Sequence, residues 1–125
     1  MIEDMLKNIS EIYIAYGVTD FRLRTPSLCK LVETKFKLSP YKCQAFIFCN
    51  KRRTSIRVLC YDKNGFVLAE KTLLEKEKMK FQWPRNKEEM HQITKQQLTW
   101  LLSGLKIYPD KYFRDINLEE EKIAI

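Results

Sequence analysis

Apolar and polar positions alternate through the middle of the chain in the short runs expected of β-strands. Residues 45–49 are almost entirely apolar, residues 55–61 are rich in β-branched side chains, and residues 66–71 repeat the pattern. Turn residues separate the runs, which predicts an antiparallel meander. The second bend, Asp62-Lys63-Asn64-Gly65, contains Asn-Gly, a pair that tolerates the positive φ required at the centre of a tight hairpin turn. Residues 11–16 form another predicted strand, with Ile12, Ile14 and Tyr16 on one face and Tyr13 and Ala15 on the other. Met79, Phe81 and Trp83 alternate with Lys80 and Gln82, which predicts a last strand with one dry face before Pro84.

Elsewhere the apolar spacing changes to that of a helix. Ile2, Met5, Leu6 and Ile9 suit a short amphipathic helix or arm. Thr25-Pro26 predicts a helix start, with Thr as cap and Pro at the first helical position, and Ser39-Pro40 predicts its end. Leu28, Leu31, Val32 and Phe36 line the face of this helix that covers the sheet. Residues 85–92 read as a polar loop. Thr94 and Gln97 have the spacing of a capping box, Leu98, Leu101, Leu102 and Leu105 follow at helical intervals, and Gly104 marks the stop. The predicted fold is α+β, a small antiparallel sheet of about five strands around a central meander, with one or two packed helices. Residues 1–106 form one domain on this reading. Residues 107–125 form a C-terminal extension in which Tyr108, Tyr112 and Phe113 pack back and the acidic end at Glu119-Glu120-Glu121 stays solvated or disordered.

Composition narrows the function classes. At 125 residues and 45% hydrophobic content the chain can bury a single core. No run approaches the roughly 20 apolar residues of a membrane span. The first residues include Glu3 and Asp4 and lack the layout of a signal peptide, so a cytoplasmic location is expected. The cysteines stand at 29, 43, 49 and 60 without a C-x-x-C pair, and His91 is the single histidine. That spacing predicts buried free thiols and gives no basis for a metal site or a cofactor. With glycines only at 17, 65 and 104 there is no phosphate-cradling loop.

The net charge is +7, and from Lys106 onward 4 basic residues face 5 acidic ones, so the positive excess belongs to the body of the chain. A basic body suits a polyanion such as nucleic acid. Lys51-Arg52-Arg53, with Arg57 close behind on the next strand, concentrates that charge at one turn. Two readings of the turn stand open: a set of phosphate contacts, or a solvated charged bend that keeps strands from pairing edge to edge. Arg22 is a secondary candidate, and Arg24, Lys71, Lys80 and Arg85 would extend the surface if the fold gathered them. Tyr13, Tyr16 and Tyr61 offer stacking faces for single-stranded bases or, as the simpler reading, half-buried sheet positions. In Thr19-Asp20-Phe21-Arg22, Asp20 suits an Asx turn better than a metal site, with Arg22 paired to a nearby acid. Asp62 has the same turn-stabilising reading. Nothing in the pattern converges Asp20, Asp62 and Glu70 on metal ions, and no enzyme is expected.

The block Gly17-Val18-Thr19-Asp20-Phe21-Arg22, then Phe46-Ile47-Phe48 with Asn50-Lys51-Arg52-Arg53, Ile56-Arg57-Val58-Leu59, Tyr61-Asp62, Asn64-Gly65-Phe66 and Phe81-Gln82-Trp83-Pro84, resembles the TnpB accessory proteins of the insertion-sequence-66 family of bacterial transposable elements. Leu98 and Leu101-Leu102-Ser103-Gly104-Leu105 fit that family's C-terminal helix. The chain departs from the pattern at Leu23-Arg24-Thr25-Pro26, where the family tends to have a Lys-Gly turn, and at Cys60, where many members have Trp. The resemblance implies a short accessory factor acting beside a separate transposase, with no defined chemistry of its own. The expected function is therefore that of a non-catalytic transposition accessory protein contacting DNA through Lys51, Arg52, Arg53, Arg57 and secondarily Arg22, with DNA and the transposase as partners. The alternative is a protein–protein adaptor for the transposase with little or no direct DNA binding, which calls for an exposed apolar patch around Trp83 and Trp100. A small nuclease using Asp20 and Asp62 is the remotest reading.

Overall fold

The computed structural model describes residues 1–74, 78–85 and 89–107. Five strands form one sheet: β1 (Glu11–Ala15), β2 (Gln44–Cys49), β3 (Ser55–Asp62), β4 (Gly65–Thr72) and β5 (Met90–Ile93), in the spatial order β4-β3-β2-β1-β5. Among the described residues three helices accompany them: α1 (Ile2–Met5), α2 (Thr25–Thr34) and α3 (Lys95–Leu102). The α+β class and the β2-β3-β4 meander are as the alternation predicts.

The sheet is mixed, and this corrects the wholly antiparallel expectation. β1 and β2 pair in parallel, Ile12 opposite Ala45 and Ile14 opposite Ile47. Parallel neighbours cannot be joined by a tight turn and need a crossover, which α2 supplies. A helical pattern lying between two strand patterns was the signal for this arrangement.

Both faces of the sheet are covered, and strand alternation sorts the residues between them. Ile12, Ile14, Ala45, Ile47, Ile56 and Val58 face Leu98 and Leu101 of α3, Leu6 and the rings of Phe81 and Trp83. Ala15, Phe46, Phe48 and Leu59 face Leu28, Cys29 and Val32 of α2. The predicted division of residues 11–16 holds: Tyr16 packs on the first face and Tyr13 on the second.

Four local expectations need correction. Residues 79–83 are not a strand. Phe81 and Trp83 are buried at 1% and 5% exposure as their alternation requires, but they plug the sheet face from an irregular segment. The last strand is β5, at one edge of the sheet and within the stretch predicted as polar loop; only Ile93 of its four residues is fully buried, so its pattern is weak. The hairpin bend centres on Lys63 and Asn64, with Lys63 at φ 56°, while Gly65 already belongs to β4 opposite Asp62. Finally, α2 starts without a side-chain cap and its N-cap is Arg24; the chain leaves helical geometry before Ser39-Pro40, with Lys37 at φ 59°. The capping box of α3 forms as expected, with Thr94 Oγ1 accepting from Gln97 N and Thr94 N donating to Gln97 Oε1. Gly104, at φ 87°, lets Leu105 N reach back to Trp100 O and close the helix. Leu105, past that stop, is exposed. The expectations for Tyr108, Tyr112, Phe113 and Glu119-Glu120-Glu121 lie outside the described residues.

Candidate nucleic-acid interface

Because β1 and β2 run in the same direction, the loops that follow them leave the sheet at the same end. Backbone hydrogen bonds tie these loops together. Thr19 N donates to Cys49 O (3.0 Å), joining the loop after β1 to the end of β2. Gly17 N donates to Pro84 O (2.9 Å) and Tyr16 N to Glu89 O (2.7 Å). Phe81 N donates to Arg53 O (2.8 Å) and Leu73 N to Thr54 O (2.8 Å), which brings the chain on either side of Lys80 against the basic turn. One rim of the sheet therefore carries Arg22, Arg24, Lys51, Arg52, Arg53, Lys80 and Arg85.

Asn50 shapes the turn itself. Its side-chain Oδ1 accepts from Thr54 N (2.9 Å) and Ser55 N (3.1 Å), its Nδ2 donates to Thr54 Oγ1 (3.1 Å), and its carbonyl accepts from Arg53 N (3.1 Å). Such side-chain bridging is the usual reason for Asn in a bend. Arg53 sits at φ 61°, a left-handed conformation an arginine adopts only when its surroundings enforce it. The result is a knitted bend with Lys51 and Arg52 exposed and Arg53 half-buried. Charge also reaches inward. Burial pushes the Cys49 thiol up to about 12, and the positive charges of Arg85 and Arg53 act on it in the opposite sense, so both lie near the end of β2.

Arg57 is placed differently from the other predicted contacts. Its side chain is only 19% exposed and its Nε donates to Glu70 Oε1 at 2.7 Å. Nη1 donates to the carbonyls of Phe21 (2.8 Å) and Leu23 (3.1 Å), and the guanidinium lies 4.4 Å from the centroid of the Phe21 ring. Arg57 fastens the loop that carries Arg22 and Arg24 to β3. Arg22 forks onto Asp20, Nε to Oδ1 (3.1 Å) and Nη2 to Oδ2 (2.9 Å), and Asp20 Oδ1 also accepts from Arg22 N (2.9 Å). These bonds hold the Asp20 carboxyl below its ordinary value and raise Arg22. The Asx turn read for this motif is thus present, with Asp20 itself as the acid that pairs with Arg22.

Among the described residues, the acids of this rim have partners within the fold: Asp20 has Arg22, Glu70 has Arg57, and Glu89 accepts from His91 Nε2 at 2.8 Å. Among the described residues no ion pair engages Arg24, Lys51, Arg53, Lys80 or Arg85. Asp62 stands at the far end of β3, opposite Gly65, away from Asp20 and Glu70. Among the described residues no three His, Cys, Asp or Glu side chains gather where they could hold a metal ion.

The family described as IS66 Orf2 like protein matches residues 10–111. The chain belongs to that family. Membership in the IS66 Orf2-like family assigns it an accessory role in transposition beside the element's transposase. An uncharacterised protein, y4hO of Sinorhizobium fredii (strain NBRC 101917 / NGR234), is 33% identical over 94 residues, covering 75% of this chain and 79% of that protein. No solved structure matches. Among the described residues no helix is long and apolar enough to cross a membrane.

The three cysteines 29, 49 and 60 of this IS66 Orf2-like chain are buried and free as expected, whereas Cys43 is exposed. Trp83 does not form an exposed patch, since its ring is buried and its Nε1 donates to Ala15 O at 2.8 Å; Trp100 is half-buried. Exposed apolar side chains lie elsewhere, among them Met1, Met5, Leu74, Met79 and Leu105. Met1, Met5, Leu74 and Met79 line two adjoining grooves between α1, β4 and α3 that share Lys71 and Leu102.

Proposed function

We propose that this accessory protein is non-catalytic and contacts DNA through the rim formed by the loops after β1 and β2, while acting with the transposase of its element. The observation that carries the reading is the concentration of cations at one end of the sheet while two of the described acids there, Asp20 and Glu70, are paired with arginines within the fold. Lys51, Arg52 and Arg53 are the principal phosphate contacts, and Arg22 and Arg24 flank them. Arg57 acts from behind by holding the Phe21–Leu23 carbonyls in place. Affinity for duplex DNA measured across a salt series tests this. Each phosphate contact contributes about 0.9 to the logarithmic salt slope, so replacing Lys51, Arg52 and Arg53 together by Ala should flatten it by about 3. A slope unchanged by the triple substitution, or no binding at low salt, removes the reading.

The adaptor reading draws on a separate observation, the adjoining apolar grooves beside α1 and α3. It places the transposase on that face, with Lys51, Arg52 and Arg53 uninvolved. Met5→Glu would then abolish association with the transposase while leaving duplex affinity unaltered.

A further inference from the structure

Beside the cationic turn the sheet rim holds a cleft of about 470 Å³, bounded by Tyr16, Gln82, Trp83, Pro84, Arg85 and Lys106. That volume is within the range of about 300–1,000 Å³ typical of small-ligand sites. The walls are stitched to the sheet on both sides. Trp83 Nε1 donates to Ala15 O (2.8 Å), Gly17 N to Pro84 O (2.9 Å) and Tyr16 N to Glu89 O (2.7 Å). The Tyr16 ring is stacked on His91 at 3.9 Å between centroids and 22° between planes, and His91 is in turn held by Glu89. Tyr16 is therefore a fixed aromatic wall. Tyr13 and Tyr61 are not comparable: Tyr13 stacks on Phe46, and Tyr61 packs with Tyr41 and Phe66 toward the opposite rim.

A flat ring beside cations, in a slot adjoining the basic turn, matches the chemistry of one unpaired nucleotide. Every base presents a π-face that an aromatic wall can stack, whatever its sequence. A planar guanidinium grips a phosphate with two parallel hydrogen bonds. Arg85 lines the cleft, and Phe81 N, four residues before it, donates to Arg53 O on the turn (2.8 Å), so a backbone running from the turn to the cleft meets positive charge at both places. We propose that this cleft takes an unpaired nucleotide of single-stranded DNA, its base against the Tyr16 ring and its phosphate toward Arg85. The inference rests on the DNA-contacting reading and adds to it a preference for duplex carrying a single-stranded end. Lys51, Arg52 and Arg53 hold the duplex, and the cleft holds the nucleotide beyond it.

Fluorescence anisotropy of the full chain with a blunt duplex, and with the same duplex bearing an oligothymidine tail, tests the assignment. The tailed duplex should bind about tenfold more tightly, and Tyr16→Leu should remove most of that margin while leaving the blunt duplex unaffected. Gln82→Glu, an exposed change that places a negative charge at the mouth, should also reduce the margin. In a Trp100→Phe background Trp83 is the remaining tryptophan, and the tail should quench it. Equal affinity for blunt and tailed duplex, or a margin that survives both substitutions, overturns the cleft while leaving duplex binding standing. Quenching by free thymidine monophosphate at the same concentrations overturns the strand assignment in favour of a free nucleotide. A preference for a tail of ribonucleotides overturns it in favour of RNA. Absence of all binding, tailed or blunt, removes the parent reading instead.

Discussion

Arg57 spends its guanidinium inside the protein. Glu70, two carbonyls and the Phe21 ring absorb it, so it acts as a bolt between β3 and the loop after β1. Removing it leaves a carboxylate and two carbonyls short of a donor, and hydrogen bonds to charged groups are worth about 1.5–3 kcal/mol. Arg57→Ala should therefore cost about 2 kcal/mol in urea unfolding, and Arg57→Lys should recover little because one ammonium cannot span all three acceptors. The Asp20–Arg22 fork makes a pH-dependent contribution. A carboxyl whose folded value lies below its ordinary 3.8 stabilises the fold above that pH, and the contribution fades as pH falls through the folded value. Acid unfolding of the parent and of Asp20→Asn should differ near neutrality and converge at the acid end. Two residues with the same charge thus have different fates. In a bare sequence Arg57 reads like Arg53, because nothing local records that Glu70 stands opposite it.

At the scale of elements, what could be read was what is decided locally. Thr94 and Gln97 bond each other across one helical turn, so spacing alone identifies the cap, and Thr94→Ala should lower stability by about 1 kcal/mol in thermal or urea melts. The stripe Leu28, Leu31, Val32 and Phe36 packs on the sheet because helical geometry permits one face to be buried. The failures share a different cause. β5 exists through pairing with β1, Ile12 opposite Ile93 and Ala15 opposite Met90, and four residues without a strong alternation carry no trace of that partner. Residues 79–83 have the alternation but no ladder, because Phe81 and Trp83 are buried by plugging a face. Period two records which side is dry and says nothing of hydrogen-bonded neighbours.

For the whole molecule, the decisive feature is the direction of one strand pair. Had β1 run against β2, the Asp20–Arg24 loop and the Lys51–Arg53 turn would lie at opposite ends, and the cations would be dispersed. The turn was visible as a run of charge; its companions Arg24, Lys80 and Arg85 were visible only as isolated residues, because the crossover that gathers them is a long-range property. If the rim is the proposed interface, the position of a charge matters and not only the net charge. Lys63→Glu, in the hairpin at the remote end, alters the charge by two yet should leave duplex affinity nearly unchanged, whereas Arg53→Glu should weaken it severely; anisotropy at fixed salt compares the two.

The same Asp62–Gly65 bend is also the natural point of attachment for laboratory purposes. A dye, biotin handle or surface tether installed at Asn64 would project from the pole opposite the cations, reporting on or immobilising the protein without crowding whatever it grips.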